Sequence, residues 1–557
     1  MEKCREYCLE IYALNDVHGR FFNTPHYDAA STLSLANAGT FLKERRRVVG
    51  AGNVLLLDCG DNLQGDMAVD LSNRKVTEDS FVEHFYSKVA RYLSIDAVVF
   101  GNHDFEAGHK VYDQIARKLQ KDGTVVLGAN VIDAKTGGCY FAPYTIFHRG
   151  GLRIAVIGAT NPSTPRWITK DLWSGLEFYP IAPVVQPIID KIRQEGTADV
   201  VILMAHTGMG APDAADVDEN QALALAGRLK GVDVIVAGHD HKESCMRVGD
   251  TLVVSASSHA ASLQSIKVHV SKDASGAAAV SVEGTVVQLE EYPADREYLA
   301  AFGEEIWAVE RHMQETVGKL KGDMHALDAL FGKNDYVSLI HAVQLDATGA
   351  QVSFASPYVY DAVFEAGPVT RKEIYRMYSC ENTFYKIRMT GRQIKDYLEY
   401  SYSKWVADFT PDNPSLLRLQ KTTFMGKKYF WPEHFTYNFD SAAGLEYQVD
   451  FTAASGDRVK ILSLSGGTPF LEEGVYTVAL SSYRICGGGN LIDSGAGLDP
   501  MADLERITLK KYPLIRDLLE AFIREGKDFS NVPGHWEFVP ADLARQLIAQ
   551  ERKLLSV

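Results

Sequence analysis

Five short polar clusters hold the side chains of this sequence best suited to chemistry: Asn15-Asp16-Val17-His18-Gly19, Gly60-Asp61-Asn62, Gly101-Asn102-His103-Asp104, Ala205-His206 and Gly238-His239-Asp240-His241. Two Asp, four His and one Asn brought together give a mixed nitrogen and oxygen donor set, which suits Mn, Zn or Fe better than Ca or Mg. A single ion takes only four or so of these donors, so the set points to two divalent ions. Such a pair needs a bridging carboxylate, and the Gly60-Asp61-Asn62 turn, central in the order, is the natural place for it. Taken singly, Asp16 reads as a turn or N-cap residue and His206 as a core histidine. Repetition of the pattern is what makes a metal centre the reading. The remaining histidines, among them His84, His259 and His312, are assigned to the surface or to ordinary packing.

Each cluster follows a run of Val, Ile, Leu and Ala. The runs at 9–14, 54–58, 97–101, 125–130, 153–159, 200–205 and 233–237 are continuous and separated by helical patterns, including 77–93, 110–119 and 183–195. This texture predicts parallel strands buried on both faces and joined by crossover helices. Ligands of such sheets bind beyond the carboxyl ends of the strands, so the five clusters should converge. After Val254 the alternating runs 265–270 and 279–288, around the Lys272-Asp-Ala-Ser-Gly turn, predict an antiparallel ending. The charged stretch from Pro293 to Thr316 has a helical period and reads as a connecting helix. A second alternating region, dense in Tyr and Phe between 354 and 450, follows Gly318. The expected domains are therefore 1–292, a linker helix over 293–317, and 318–557.

Composition bounds the function. A chain of 557 residues with 46% hydrophobic and 23% charged residues is an ordinary globular sequence of more than one domain. Its 57 Lys and Arg against 72 Asp and Glu give a net charge of -15, which disfavours bulk nucleic acid and anionic membranes. Seven cysteines without a C-x-x-C pair read as reduced thiols, and Cys4 and Cys8 lack partners at zinc-finger spacing. No apolar run reaches the roughly 18 residues of a membrane span. The first residues carry no apolar signal core, which gives a cytoplasmic reading of the chain as it stands, or a periplasmic or extracellular one if a leader was removed. A monomer or weak homo-oligomer is expected.

The five clusters match, in order, the D-x-H, G-D, G-N-H-[DE], H and G-H-x-H pattern of the calcineurin-like metallophosphoesterases, which the chain closely resembles. The resemblance implies a four-layer α/β/β/α sandwich for the first domain. It implies that Asp16, His18, Asp61 and His241 hold one ion and that Asp61, Asn102, His206 and His239 hold the other. His103 would stand free of both and face the substrate. In the nucleotidase branch an aspartate three residues further on orients this histidine. Here Glu106 takes that place, with Asp104 also near, so both carboxylates are candidates.

The segments Tyr378-Ser-Cys-Glu-Asn-Thr, Met389-Thr-Gly-Arg-Gln-Ile, Asn438-Phe-Asp-Ser-Ala-Ala-Gly and Ser482-Tyr-Arg-Ile-Cys-Gly-Gly-Gly resemble the α+β C-terminal domain of 5′-nucleotidases and 2′,3′-cyclic-nucleotide phosphodiesterases. Relatives of this kind stack the base between two aromatic rings. The match places Tyr483 at one ring and Cys380 at the other, with Tyr378 a candidate to replace it and with Asn382 and Gly488 as further substrate-binding candidates. The 5′-nucleotidase branch has an Asn-Gly-Gly-Gly-Ile-Arg segment where this chain has Phe354-Ala-Ser-Pro-Tyr-Val, which resembles the cyclic-phosphodiesterase branch. The expected function is hydrolysis of small nucleotides, as a 2′,3′-cyclic phosphodiesterase and 3′-nucleotidase. The alternatives are a 5′-nucleotidase or nucleotide-sugar hydrolase, then a related sulfur-handling hydrolase. A non-catalytic nucleotide-binding protein would need neither His103 nor the metal ligands, and a DNA nuclease would need a basic groove.

Overall fold

The computed structural model describes residues 5–24, 32–272, 278–412, 414–424 and 427–555, so Cys4 and the 273–277 turn lie outside the described residues. The chain divides into two compact units, Met1–His312 and Met313–Val557.

In the first unit every apolar run becomes a strand, but the strands divide between two six-stranded sheets. One holds Val125–Leu127, Ala97–Val99, Val54–Asp58 and Arg5–Leu14 in parallel, extended by the antiparallel strands Ser262–Lys272 and Ala278–Gln288. The other holds Leu152–Ala159, Val200–Ala205, Val234–Ala237 and Thr251–Ser255 in parallel, with the antiparallel strands Tyr144–Arg149 and Ser244–Val248 at its edges. Successive side chains of a strand point to opposite faces, and here both faces are apolar. Ile154, Val156, Ile202 and Val236 meet Leu9, Ile11, Leu55 and Val99 between the sheets. Ile157, Leu203 and Ile235 point the other way, onto Val185, Ile189 and Leu225 of the helices Ile181–Gln194 and Ala222–Arg228. On the opposite side Phe41 of the helix Leu35–Val49 packs edge-on to Tyr12 at 4.9 Å, completing the α/β/β/α sandwich.

Two helical expectations are corrected. The stretch 77–93 contains the end of the helix Met67–Glu78 and a second helix, Phe85–Leu93. The second starts at His84, whose Nδ1 accepts the Tyr86 N–H, an unusual N-cap that periodicity does not reveal. The connecting stretch is likewise two helices, Arg296–Ala301 and Gly303–Gln314, parted at Phe302. Tyr298 is buried against the first unit, with its hydroxyl donating to the Phe21 carbonyl, and the Phe302 ring packs on Phe22 and Tyr92.

The second unit is α+β. Its five-stranded sheet runs Ser441–Ala443, Val352–Ala355, Val475–Ser481, Thr383–Thr390 and Thr508–Leu514, beside a three-stranded sheet of Val459–Leu464, Leu445–Asp450 and His535–Val539. The helix Gly391–Trp405 opens on a capping box in which the Thr390 hydroxyl accepts the Gln393 N–H. It closes with Trp405 stacked on Tyr402 and Phe439.

The turns that end the first sheet come into backbone contact at Gly60. Gly60 has φ +96°, and a Cβ there would lie 2.5 Å from the Gly101 nitrogen and 2.8 Å from the Val99 oxygen. Gly60→Ala is therefore expected to lower the stability of the first unit by about 2–3 kcal/mol. A urea titration should show an earlier first transition with the second unit's transition unmoved, and a first transition at the wild-type midpoint would contradict this packing.

Candidate active site

The carboxyl ends of both sheets open onto the predicted cluster. Asp16 and His18 follow Arg5–Leu14, Asp61 follows Val54–Asp58, and Asn102 and His103 open the short helix Asn102–Glu106 after Ala97–Val99. His206 follows Val200–Ala205, and His239 and His241 follow Val234–Ala237. Asp16, His18, Asp61, His239 and His241 all have left-handed φ, between 48° and 77°, a conformation that disfavours residues with a Cβ and collects at functional sites. Cross-links hold it: the Asp16 N–H donates to the Gly60 carbonyl, and the His18 N–H donates to the Asp61 carbonyl, each at 2.9 Å.

Among the described residues two groups could each hold a metal ion, Asp16, His18 and His241 in one and Asp61, His206 and His239 in the other, with the ligating atoms of a group within 4.8 Å of one another. In the first, the Nε2 atoms of His18 and His241 face each other at 3.1 Å. His18 Nδ1 is 3.1 Å from the Gln64 carbonyl, which can only accept, so the proton sits there and Nε2 presents its lone pair. Asp16 Oδ1 is buried without a hydrogen-bond partner. In the second, His206 Nδ1 donates to the Cys59 carbonyl at 2.7 Å, which turns its Nε2 towards Asp61 Oδ2 at 3.1 Å and Asn102 Oδ1 at 3.2 Å. His239 Nδ1 is buried and unpartnered. A His18 lone pair aimed at a second imidazole, beside buried polar atoms without partners, is a setting that a divalent ion satisfies. The donor set fits two ions, one for each group.

His103 lies outside both groups, with Nδ1 3.0 Å from Glu106 Oε1. Burial alone would lower its pKa, but the charges of Glu106 and Asp61 outweigh this and push it up to about 10. Burial takes His18 the other way, to about 3, which keeps it neutral as a ligand must be. Burial also works against ionisation of Asp61, yet the neighbouring His206 and His103 hold its carboxyl well below the usual range. Asp104 is not the carboxylate beside His103. Its two oxygens accept the backbone N–H groups of Gly101, Asp61, Asn62 and Leu63 at 2.7–2.9 Å, so it clamps two ligand loops together.

His259, assigned from sequence to ordinary packing, lines this cluster. Its ring stacks on His18 with centroids 5.2 Å apart, and its N–H donates to the Asp16 carbonyl at 2.8 Å. The signal was present, because Ser257-Ser258-His259 follows Thr251–Ser255, another parallel strand of the second sheet.

In the second unit, Tyr483 is partly buried beside Gly488, where a Cβ would sit 2.3 Å from the ring. Arg484 ties this turn down by pairing with both oxygens of Asp440 and donating to Asn438 Oδ1 and the Gly488 carbonyl. Tyr437 packs edge-on to Tyr483 at 6.2 Å, and Phe435, 71% exposed, stacks on Tyr437 at 5.1 Å. The sequence had not singled out either ring. Tyr378 offers no open face: it is buried, its ring packs on Tyr358 at 4.1 Å, and its hydroxyl is bonded to Tyr358 and Asn382. Asn382 also accepts from Ser482 Oγ, and Cys380 packs beside the same apolar cluster as Tyr378.

Residues 9–243 match the calcineurin-like phosphoesterase family and residues 316–493 match the 5′-nucleotidase C-terminal domain. The chain thus carries a calcineurin-like phosphoesterase domain followed by a 5′-nucleotidase C-terminal domain. It is 23% identical to the trifunctional nucleotide phosphoesterase YfkN of Bacillus subtilis over 86% of this chain, but spans only 36% of that longer protein. It is 24% identical to the 2′,3′-cyclic-nucleotide 2′-phosphodiesterase/3′-nucleotidase of Salmonella typhimurium, over 86% of this chain and 81% of that one. Its fold is shared with the crystal structure of a candidate 5′-nucleotidase from Staphylococcus aureus, at TM-score 0.76 and 20% identity over 95% of this chain and 99% of that one. No helix among the described residues is long and apolar enough to cross a membrane.

If Asp61 serves both groups, Asp61→Ala should leave fewer than one tightly held ion per chain after dialysis, whereas His103→Ala should retain the wild-type complement. Elemental analysis decides between them, and equal losses in the two variants would contradict the separation of ligand and non-ligand.

Proposed function

We propose that the protein hydrolyses phosphate esters of small nucleotides with two divalent ions, Mn, Zn or Fe, held by Asp16, His18, Asp61, Asn102, His206, His239 and His241. The observation that supports this reading is one buried carboxylate, Asp61, that belongs to one ligand group and lies close enough to His18 of the other for their charges to interact, with the imidazole of His103, which belongs to neither, acting on it as well. A bound ion pair supplies an activated water and neutralises charge on the phosphoryl oxygens. His103, kept protonated by Glu106, donates a proton to the leaving oxygen or a hydrogen bond to the phosphoryl group. Asp104 fixes the spacing of the loops that carry Asp61 and His103.

The substrate class rests on the second unit. The Tyr483 ring, seated on Gly488 and flanked by Tyr437, offers the kind of aromatic face on which any base can stack. The matching relatives act on nucleotides by name, and the Phe354-Ala-Ser-Pro-Tyr-Val segment favours 2′,3′-cyclic phosphodiesterase and 3′-nucleotidase activity over 5′-nucleotidase activity.

Metal-loaded protein offered a panel of 2′,3′-cyclic, 3′- and 5′-nucleotides and nucleotide sugars should act fastest on the cyclic and 3′ esters. A preference for 5′ esters would overturn the finer assignment and leave the nucleotide phosphohydrolase standing. His103→Ala should slow turnover by roughly 10² to 10⁴. Tyr483→Ala should weaken nucleotide use by about 1–3 kcal/mol and leave bis(4-nitrophenyl) phosphate hydrolysis unchanged. Equal losses on both substrates would make Tyr483 a packing residue and remove the support for a base site.

A further inference from the structure

His239 is gripped by two residues outside the ligand set, Glu219 and Trp167, and by the ligand Asp16. Its Nε2 is 2.9 Å from Glu219 Oε1, the Trp167 ring lies against its face with centroids 5.3 Å apart and planes 29° from parallel, and its backbone N–H donates to Asp16 Oδ2 at 2.8 Å. Glu219 is fixed in turn through its backbone. Its carbonyl accepts from Thr207 Oγ1 at 2.8 Å and from Asn161 Nδ2 at 2.9 Å, both on fully buried residues, and Thr207 directly follows the ligand His206. Ser163, four residues before Trp167, donates to the Val217 carbonyl of the same loop at 2.8 Å. The loop that presents Glu219 is thus anchored to the strand end that presents His206.

We propose that Glu219 is a positioning residue of the metal centre, accepting the Nε2–H of His239 so that this histidine ligates through Nδ1, whereas His18 and His206 ligate through Nε2. A neutral imidazole carries one N–H, and the group that receives it decides which nitrogen keeps its lone pair. For His18 and His206 that group is a backbone carbonyl at Nδ1. For His239 it is a carboxylate at Nε2, and the remaining Nδ1 is the buried atom without a partner. The Glu219 side chain is about half exposed, a setting in which an ion pair by itself contributes little. Its fixed backbone and the Trp167 ring stacked on the face of His239 set it apart from such a contact. The assignment rests on the metal-centre reading above.

The test compares Glu219→Ala and Glu219→Gln by chelator-competition titration of the metal-free proteins with Mn²⁺, and follows Co²⁺ absorption for the ligand environment. Glu219→Ala should bind one of the two ions about 10 to 100 times more weakly and the other as the wild type does. Glu219→Gln retains an acceptor for the Nε2–H and should restore most of that affinity and the Co²⁺ spectrum. Unchanged binding in the Ala variant, equal weakening of both ions, or a Gln variant as weak as Ala would each overturn the assignment. A wild-type protein that takes up no pair of ions would overturn the metal-centre reading, and this assignment with it.

Discussion

A buried carboxylate is unfavourable unless charge and hydrogen bonds compensate it, and Asp61 sits where no solvent can do so. Its compensation comes from the protein: one oxygen accepts the His103 N–H at 2.9 Å and the other faces His206 at 3.1 Å. Its own backbone N–H is held by Asp104, which also holds Gly101, Asn62 and Leu63. The turn after Val54–Asp58 and the turn before Asn102–Glu106 are therefore one unit, built around two carboxylates with different tasks. Asp104 satisfies backbone donors and fixes geometry. Asp61, its backbone held and its side chain kept ionised, faces His206 of its own group and feels the charge of His18 in the other.

The two-sheet sandwich makes this possible because both sheets present their carboxyl ends on the same side. Each contributes loops that a single sheet could not bring so close: Asp16, Asp61 and Asn102 come from one, His206, His239 and His241 from the other. Donors on different sheets are then joined directly, as where the His239 N–H meets Asp16 Oδ2. The glycines in these turns are required by space. A Cβ on Gly101 would lie 2.2 Å from Asp61 Oδ1 and 2.5 Å from His206.

Most of the site was legible in the sequence because its ligands sit immediately after apolar strands, and that adjacency survives whatever the packing does. The strands themselves were legible for the same reason, whereas their division between two sheets came only from the family resemblance, because an apolar run looks alike in either. His259 escaped because its cluster lacks a second metal-type residue, although its strand is a neighbour of the one that ends at His239. Asp104 and Glu106 could not be told apart from spacing alone. Both lie within reach of His103 along the chain, and only the four backbone donors that occupy Asp104 leave Glu106 as its partner. Tyr378 illustrates the converse. Its aromatic type suited a base-stacking face, but its hydroxyl network with Tyr358 and Asn382 places it inside the second unit.

In the proposed centre Asp61 joins the two ligand groups into one dinuclear site. Low-temperature electron paramagnetic resonance of the protein loaded with two Mn²⁺ per chain tests this most directly, because ions bridged by a carboxylate at about 3.5–4 Å are magnetically coupled. A coupled dinuclear signal that is absent in Asp61→Ala is expected. Two independent mononuclear signals in the wild-type protein, or saturation at a single ion per chain, would contradict it.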